Sequence, residues 1–246
     1  LAAREYASAI PWLERTLEER GDGPEQRAAH GGLIDAYLGQ YPPAREIASR
    51  HMRQWIALTP DDSKEEALTY LLQRVAGVQA LNTLRLELLQ ALALKRPMDP
   101  SLLEELGKAL VQGERWERAR EVFDRAIAVS SERRPLTLRV GRTFFSSLQY
   151  DLALAYFDRV QARADELNVR TWRTLGAYLY AGGHEGRAER YFECLMQRAI
   201  SGSYAVELEL FARDALKLGA WGYALKAARS LYAQEDKSLD ALRIQG

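Results

Sequence analysis

A motif of small and aromatic residues recurs through the second half of the chain at nearly constant spacing. Gly107 recurs 34 residues later as Gly141 and 35 residues after that as Gly176, and a looser copy follows at Ala212. The other residues that keep this step are the alanines Ala119, Ala153, Ala188 and Ala224, the phenylalanines Phe123, Phe157 and Phe192, and the aromatics Trp116, Tyr150 and Trp221. A repeat of this length predicts a stack of similar units, each too small to bury both of its faces alone.

Each copy has the pattern of two amphipathic helices joined by a tight turn. In residues 100–133, Leu103, Leu106 and Leu110 follow one another at spacings of three and four, as on one face of a helix. Gly113 then predicts the end of this first helix. A second helix with its own apolar face is expected after it.

The smallest side chains of the repeat mark the expected crossing of the two helices. Packed helices lie about 8 to 10 Å apart, and small residues allow the closer end of that range. We therefore expect Gly107 to lie against Ala119, with Phe123 reaching towards the next pair.

This pattern resembles the tetratricopeptide repeat (TPR) family, whose unit has small residues at its eighth, twentieth and twenty-seventh positions and an aromatic at its twenty-fourth. In residues 169–204, Trp172, Leu175 and Gly176 also match the family's opening Trp, Leu and Gly. The resemblance implies an all-α fold: a right-handed α-solenoid of stacked antiparallel helix pairs, about thirteen helices, forming a single domain over residues 1–246. The predicted repeats are 1–22 (partial), 24–60, 63–99, 100–133, 134–168, 169–204 and 205–237, with a C-terminal tail at 238–246.

The first part of the chain keeps a helical period but has irregular repeat lengths. We expect Pro11 near the first turn of a helix, where its missing amide is tolerated or a kink results. The sequence around Gly21 is interpreted as a linker. Ser63 is predicted to cap the helix that follows it.

Composition and spacing exclude several classes of function. Lys plus Arg and Asp plus Glu both number 34, so the formal net charge is zero and no global field attracts nucleic acid. The single cysteine, Cys194, excludes an internal disulfide and a multi-cysteine zinc site, and His30, His51 and His184 lack a metal-ligand spacing. No apolar run is long enough to span a membrane. Since no phosphate-binding loop or nucleophile pattern is found, we expect no enzymatic activity, cofactor or metal.

The resemblance also implies a groove lined by the first helix of each pair. Transferred onto the last four repeats, the family's groove positions carry residues that are mainly basic from Arg142 onward and include two aromatics. The set is Glu104, Lys108, Arg142, Phe145, Arg170, Arg173, Tyr180, Glu209, Arg213 and Lys217. Such a groove would bind an acidic or extended polar segment through guanidinium–carboxylate pairs and ring stacking. The same residues also fit an ordinary solvated helix face.

We therefore predict a non-catalytic scaffold for protein–protein interaction. The chain begins in helical pattern without an initiator Met and is interpreted as a fragment of a larger bacterial protein. Its repeat style is similar to periplasmic arrays of outer-membrane proteins that export biofilm exopolysaccharides. That resemblance implies a polysaccharide-modifying enzyme as partner and a periplasmic location.

Two other functions stay open. The first is direct binding of an anionic polymer, polysaccharide or nucleic acid, through Arg142, Arg173 and Arg213; zero net charge disfavours the nucleic acid. The second is a regulatory array within a cytoplasmic protein.

Overall fold

The computed structural model describes residues 2–19, 23–39, 43–76, 79–201 and 204–245. Within these ranges the chain forms thirteen α-helices and one short 3-10 helix at Gln79–Leu81, without a β-strand. The α-helices are α1 (Ala2–Glu19), α2 (Pro24–Gly39), α3 (Arg45–Ala57), α4 (Lys64–Val75), α5 (Asn82–Lys95), α6 (Pro100–Gln112), α7 (Trp116–Val129), α8 (Arg133–Ser146), α9 (Tyr150–Arg159), α10 (Val169–Ala181), α11 (Glu185–Ser201), α12 (Ala205–Lys217) and α13 (Trp221–Gln245). The predicted all-α solenoid is confirmed.

The helices pack as successive pairs in two compact units. The first unit, Leu1–Ser131, contains α1 to α7, and the second, Glu132–Gly246, contains α8 to α13. From α2 onward each predicted repeat corresponds to one pair, α2 with α3 through α12 with α13. The repeat boundaries stay a prediction, and so does the tail at 238–246; α13 continues through that position as one helix to Gln245.

Polar side chains fix the start of two helices. The Asp99 carboxylate accepts a hydrogen bond from the amide of Ser101 at 3.0 Å, at the start of α6. At the start of α10 the Asn168 side chain accepts one from the amide of Thr171 at 2.7 Å. Because the first turn of a helix leaves its amides without helical partners, these caps stabilise the two starts.

Two expectations for the first part of the chain are wrong. Ser63 precedes α4, but its hydroxyl donates to the Asp62 carboxylate at 3.2 Å and makes no capping hydrogen bond. Ser63 has a helical backbone, with φ −100° and ψ −2°, whereas a capping residue usually has an extended one. Pro11 lies in the interior of α1 and not in its first turn, because the helix begins at Ala2. The predicted linker at Gly21 lies outside the described residues.

The turns between paired helices of residues 100–246 share a residue with left-handed backbone. Its φ is 56° at Glu114, 60° at Leu148, 77° at Gly183 and 75° at Gly219. Gly113, predicted to end α6, has an ordinary φ of −90°, so the left-handed residue is its neighbour. An L side chain in this conformation costs about 1 to 2 kcal/mol. Glu114 and Leu148 therefore carry a strain that Gly183 and Gly219 avoid.

The repeated spacing of glycine and phenylalanine places a phenylalanine ring directly against the glycine backbone in three of the pairs. A methyl group added at Gly141 would lie 2.5 Å from Cε1 of Phe157, and one at Gly176 would lie 2.5 Å from Cε1 of Phe192. Both phenylalanines are fully buried. The glycine thus makes room for the ring of its own pair.

This packing corrects the expected role of Phe123. The ring of Phe123 lies against Gly107 in its own pair, whereas the sequence predicts that it reaches towards the next pair. Ala119 is itself fully buried. A ring needs more depth than a methyl group, which is why the residue facing it has no side chain at all.

One phenylalanine also joins neighbouring pairs. The ring of Phe192 on α11 lies 5.0 Å from the ring of Phe211 on α12 and 5.0 Å from that of Tyr223 on α13. Aromatic pairs at this separation add to the stabilisation from burial. The expectation that this position connects repeats is therefore confirmed at Phe192.

In the described ranges no helix is both long enough and apolar enough to cross a lipid bilayer.

We expect Gly141→Ala to destabilise the protein by about 1 to 3 kcal/mol, because the new methyl group would overlap the Phe157 ring. The measurement is the midpoint of urea unfolding. Gly186→Ala is the matched control, since Gly186 is helical and has no atom within 4 Å of an added methyl group. The control should be neutral or stabilising by up to about 1 kcal/mol. Equal effects of the two changes would contradict the packing described.

We expect Leu148→Gly to raise the free energy of unfolding by about 1 kcal/mol, because glycine removes the steric cost of the left-handed backbone. Leu148 is exposed, so little packing is lost. The reverse change, Gly183→Leu, should destabilise the equivalent turn by a similar amount. Thermal unfolding of both variants tests this, and a loss of stability in Leu148→Gly would refute it.

Candidate functional site

Arg173, in the predicted groove of the second unit, is held by two carboxylates of the following pair. Its Nη1 lies 3.2 Å from Oε2 of Glu207, and its Nε lies 3.7 Å from Oδ2 of Asp214. Only 16% of the Arg173 side chain is exposed. Arg173 therefore connects α10 to α12, and its charge is largely neutralised within the chain.

Two further arginines of the predicted set also have partners in the chain. Nη2 of Arg213 lies 2.5 Å from Oε1 of Glu209, one turn earlier on α12. Nη2 of Arg142 donates to the backbone carbonyl of Glu166. At Arg142, Arg173 and Arg213 the predicted basic groove therefore presents cations that already have partners, and not a continuous positive track.

Arg170 and Lys217 differ from these arginines. Both residues are exposed, Arg170 on α10 and Lys217 on α12. No ion pair or hydrogen bond joins either of them to another residue that the structure describes. They are the two cations of the predicted set in this unit that stay available to a ligand.

The two aromatic residues of the predicted set have different environments. The Phe145 ring lies 5.6 Å from the ring of Tyr150, on the second helix of the same pair. The Tyr180 ring lies 6.1 Å from that of the buried Phe192. Tyr180 therefore belongs partly to the core, while Phe145 belongs to a surface cluster.

Tyr178 extends this surface cluster to the next pair. Its ring meets that of Tyr150 edge to face at 5.3 Å, and its hydroxyl donates to the Asp151 carboxylate at 2.9 Å. This hydrogen bond to a carboxylate raises the pKa of Tyr178. We call Phe145, Tyr150 and Tyr178 the aromatic cluster. Sequence analysis missed Tyr178 because its position is not among the family's groove positions, although the exposed side of α10 could have been scanned for aromatics.

In the first unit the predicted residues Glu104 and Lys108 form part of an ion-pair network. Nζ of Lys108 lies 2.9 Å from Oε1 of Glu104 and 3.6 Å from Oε1 of Glu105. Glu105 also accepts from Nη2 of Arg85 on α5 at 2.7 Å. Glu104 is buried, so its carboxylate is largely shielded from solvent.

Glu166 organises the loop between α9 and α10, residues 160–168. Its two carboxylate oxygens accept from Nε and Nη2 of Arg134, at 2.8 and 2.7 Å, and Oε2 also accepts from the amide of Arg163 at 2.7 Å. The paired hydrogen bonds from Arg134 are the main reason that the pKa of Glu166 falls to about 2. Its carboxylate is therefore charged in the folded chain throughout the neutral range.

The same loop is attached to α10 and α11. Nε1 of Trp172 donates to the carbonyl of Ala164 at 3.3 Å, and Nη2 of Arg190 donates to the carbonyl of Ala162 at 3.2 Å. Together with the hydrogen bonds of Glu166, these contacts tie the loop to α8, α10 and α11. The loop in turn positions Arg142, which binds one of its carbonyls.

The first unit contains a groove that sequence analysis did not predict. It has a volume of about 550 Å³ and lies between α2 and α4, with Trp55 of α3 and the α3–α4 turn contributing to its lining. The rings of Trp55 and Tyr70 are 5.7 Å apart, and Arg74 lies over the Tyr70 ring while pairing with Asp35. The predicted groove positions belong to the last four repeats and so do not include this groove, although Gly31 and Trp55 indicate it in the sequence.

Two histidines that sequence analysis treated separately lie together in the first unit. Nδ1 of His30 and Nδ1 of His51 are 2.9 Å apart. Burial lowers the pKa of both rings, so the neutral pair is favoured. The ring of Tyr37 stacks on His51 at 5.7 Å, and its hydroxyl donates to Glu14 at 2.5 Å. This cluster is part of the packing among α1, α2 and α3.

Metal-ligating and nucleophilic groups are sparse in the described ranges. No group of three or more His, Cys, Asp or Glu side chains there is arranged to hold a metal ion. Cys194 is half-buried, and burial raises the pKa of its thiol. A thiol with a raised pKa is a weak nucleophile at neutral pH.

The helix pairs, the ring-over-glycine packing and the first-helix surfaces define the chain as a TPR-like α-solenoid. Its structure is similar to that of the C-terminal part of a TPR repeat-containing protein from Cytophaga hutchinsonii, with a TM-score of 0.51 and 15% identity over 97% of this chain and 95% of that one. It also aligns with MamA from Desulfovibrio magneticus RS-1, with a TM-score of 0.49 and 20% identity over 70% of this chain and 96% of that one. No protein-family model and no curated protein matches the sequence.

We expect Glu166→Gln to lower the free energy of unfolding by about 1 to 3 kcal/mol near neutral pH, because it removes the charge that Arg134 binds. The carboxyl takes up a proton near pH 4.5 when unfolded and near pH 2 when folded. Its contribution is therefore full above about pH 4.5 and is lost as the pH falls towards 2.

Denaturant midpoints measured near pH 7 and near pH 2 test this. The difference between wild type and variant should shrink at the lower pH. Glu121→Gln, at an exposed position on α7, is the control and should change neither midpoint. A difference that is the same at both pH values would refute the assigned role of Glu166.

Proposed function

We propose that the chain is a non-catalytic scaffold that docks another protein on the first-helix surface of its second unit. The observation that carries this proposal is the internal pairing of the groove arginines. Arg173 is shared by two carboxylates, Arg213 by one, and Arg142 by a carbonyl. A surface with both signs of charge suits a protein partner, which supplies both signs itself.

The same pairing argues against an anionic polymer as the main ligand. A polymer of uniform negative charge gains affinity by neutralising free cations and releasing counterions. Here it would have to displace Glu207 and Asp214 from Arg173, which costs the interactions that join α10 to α12. Of the predicted groove residues in this unit, Arg170 and Lys217 are the two cations without a partner among the described residues, and two cations are few for tight binding of a polyanion.

The aromatic cluster supplies the apolar part of the proposed site. Tyr178 is 40% exposed, and Phe145 and Tyr150 are half-buried beside it. Aromatic side chains are enriched where protein partners bind, since they combine a large apolar area with few rotatable bonds. Arg170 then provides a charged contact on α10, the same helix as Tyr178.

The finer part of the proposal concerns the partner and its compartment. We propose that the partner is a polysaccharide-modifying enzyme of an exopolysaccharide secretion system and that it binds this chain in the periplasm. This rests on the similarity of the repeat style to periplasmic arrays of export proteins. A cytoplasmic regulatory array is the competing function, and fractionation of cells that express the full-length protein distinguishes the two.

The test uses Arg170→Glu combined with Lys217→Glu, two exposed positions without a partner among the described residues. We expect this double variant to fold normally and to capture the partner enzyme from a periplasmic extract at least about tenfold less well. Charge reversal at Arg173 is unsuitable, because it would break the contact between α10 and α12. Arg173 stays a predicted groove residue, with its charge paired within the chain.

Arg118→Glu combined with Arg125→Glu is the matched control, since both residues are exposed on the second helix α7. It carries the same change of charge and should leave capture unaffected. Heparin binding of the wild-type chain is measured in parallel. Tight binding to heparin with a steep salt dependence would favour the polymer ligand instead.

A further inference from the structure

Two histidines of the first unit share a hydrogen bond across the contact between α2 and α3. His30 on α2 is buried, His51 on α3 is half-buried, and their Nδ1 atoms are 2.9 Å apart. A hydrogen bond between two ring nitrogens contains one proton, so one ring donates from Nδ1 and the other accepts at Nδ1. Because burial lowers the pKa of both rings, the pair at neutral pH consists of two uncharged rings in opposite tautomers.

The groups around the pair can balance only one added positive charge. Burial and the neighbouring His30 lower the pKa of His51. Of the other charges that act on this ring within the described ranges, the Glu14 carboxylate of α1 raises the pKa and Arg50 of α3 lowers it. From α2, the buried Tyr37 stacks on His51 and donates to Glu14. Burial raises the pKa of Tyr37 to about 12, so this group stays uncharged and balances no charge.

The first and the second added proton have opposite effects on this hydrogen bond. The first can bind to Nε2 of the donating ring, and the charged ring still donates from Nδ1 to its neighbour, now in a stronger hydrogen bond. The second must bind to Nδ1 of the accepting ring, which is the acceptor itself. Both Nδ1 atoms then carry a proton and both rings carry a charge, so the rings can no longer remain 2.9 Å apart. The pair therefore titrates in two coupled steps, and only the second one breaks the contact.

The contact between the histidines continues into the groove of the first unit. Gly31 follows His30 on α2, and a methyl group added at Gly31 would lie 3.7 Å from Nε1 of Trp55. Trp55 lies one helical turn after His51 on α3, and both Gly31 and Trp55 line the groove. A separation of the two rings therefore moves α2 and α3 apart where they form the groove.

We propose that the His30–His51 pair is a proton-sensitive contact, which joins α2 to α3 until it binds its second proton and then loosens the two helices at the groove. The opened chain takes up both protons near the ordinary histidine pKa of 6.5, whereas the packed pair does so only at lower pH because burial lowers the pKa of both rings. The stability of this contact is therefore full above about pH 6.5 and falls as the pH decreases below that value. This inference concerns the first unit and is independent of the docking function proposed for the second.

Amide hydrogen exchange of α2 and α3 in the whole chain, measured by NMR and corrected for the intrinsic rate at each pH, tests the proposal. As the pH falls below about 6.5, we expect the opening constant of these helices to rise and the signals of the Gly31 amide and the Trp55 indole to shift with it. His51→Asn keeps an oxygen that can accept from His30 but removes one titrating group. The opening constant of this variant should rise less steeply, by up to about tenfold per pH unit, because opening takes up one proton fewer.

His184→Gln is the matched control, since it removes an exposed histidine of the second unit and leaves the pair intact. This variant should keep the wild-type pH dependence. If His51→Asn does not fold, His30→Asn makes the same comparison from the other side of the pair. A wild-type opening constant that does not rise with falling pH, or an equal rise in wild type and His51→Asn, would overturn the proposal. Titration of both histidines without any shift of the Gly31 and Trp55 signals would do so as well.

Discussion

The contact between a phenylalanine ring and a bare glycine backbone is the interaction on which each well-formed pair depends. Phe123, Phe157 and Phe192 bury their rings completely against Gly107, Gly141 and Gly176. The ring fills the space between two helices and leaves none for a methyl group, so the sequence must keep both partners at fixed separation. A repeat that keeps this contact can vary elsewhere, as the polar surfaces of α6, α8 and α10 do.

Contacts between pairs are of a different kind, and they use groups that would otherwise be available to ligands. Phe192 meets Phe211 and Tyr223 of the next pair, while Arg173 meets Glu207 and Asp214. A guanidinium in such a bridge orders its carboxylates and is ordered by them. Stability between pairs and charge available on the surface are therefore in competition in the second unit.

The sequence predicts the helices and their order because amphipathic spacing and turn residues are local. It does not predict which partner a ring or charge selects. The direction of the Phe123 ring, the two carboxylates around Arg173 and the meeting of His30 with His51 all depend on how helices are offset after packing. Residue spacing within a repeat carries no information on that offset. The sequence therefore predicts the positions of the candidate site residues. Which of their charges are paired within the chain is known only from the contacts in the structure.

This pairing of charges bears on the docking surface that we propose for the second unit. With Arg173 and Arg213 paired internally, long-range attraction of a polyanion is weak, and recognition depends on short-range contacts. Such contacts are supplied by the aromatic cluster and by Arg170 on the same helix α10. Because the Glu166 loop fixes Arg142 in place, ligand binding would not have to order that side chain. A preorganised surface of mixed charge gains affinity from shape and aromatic contact, which is how folded protein partners are selected.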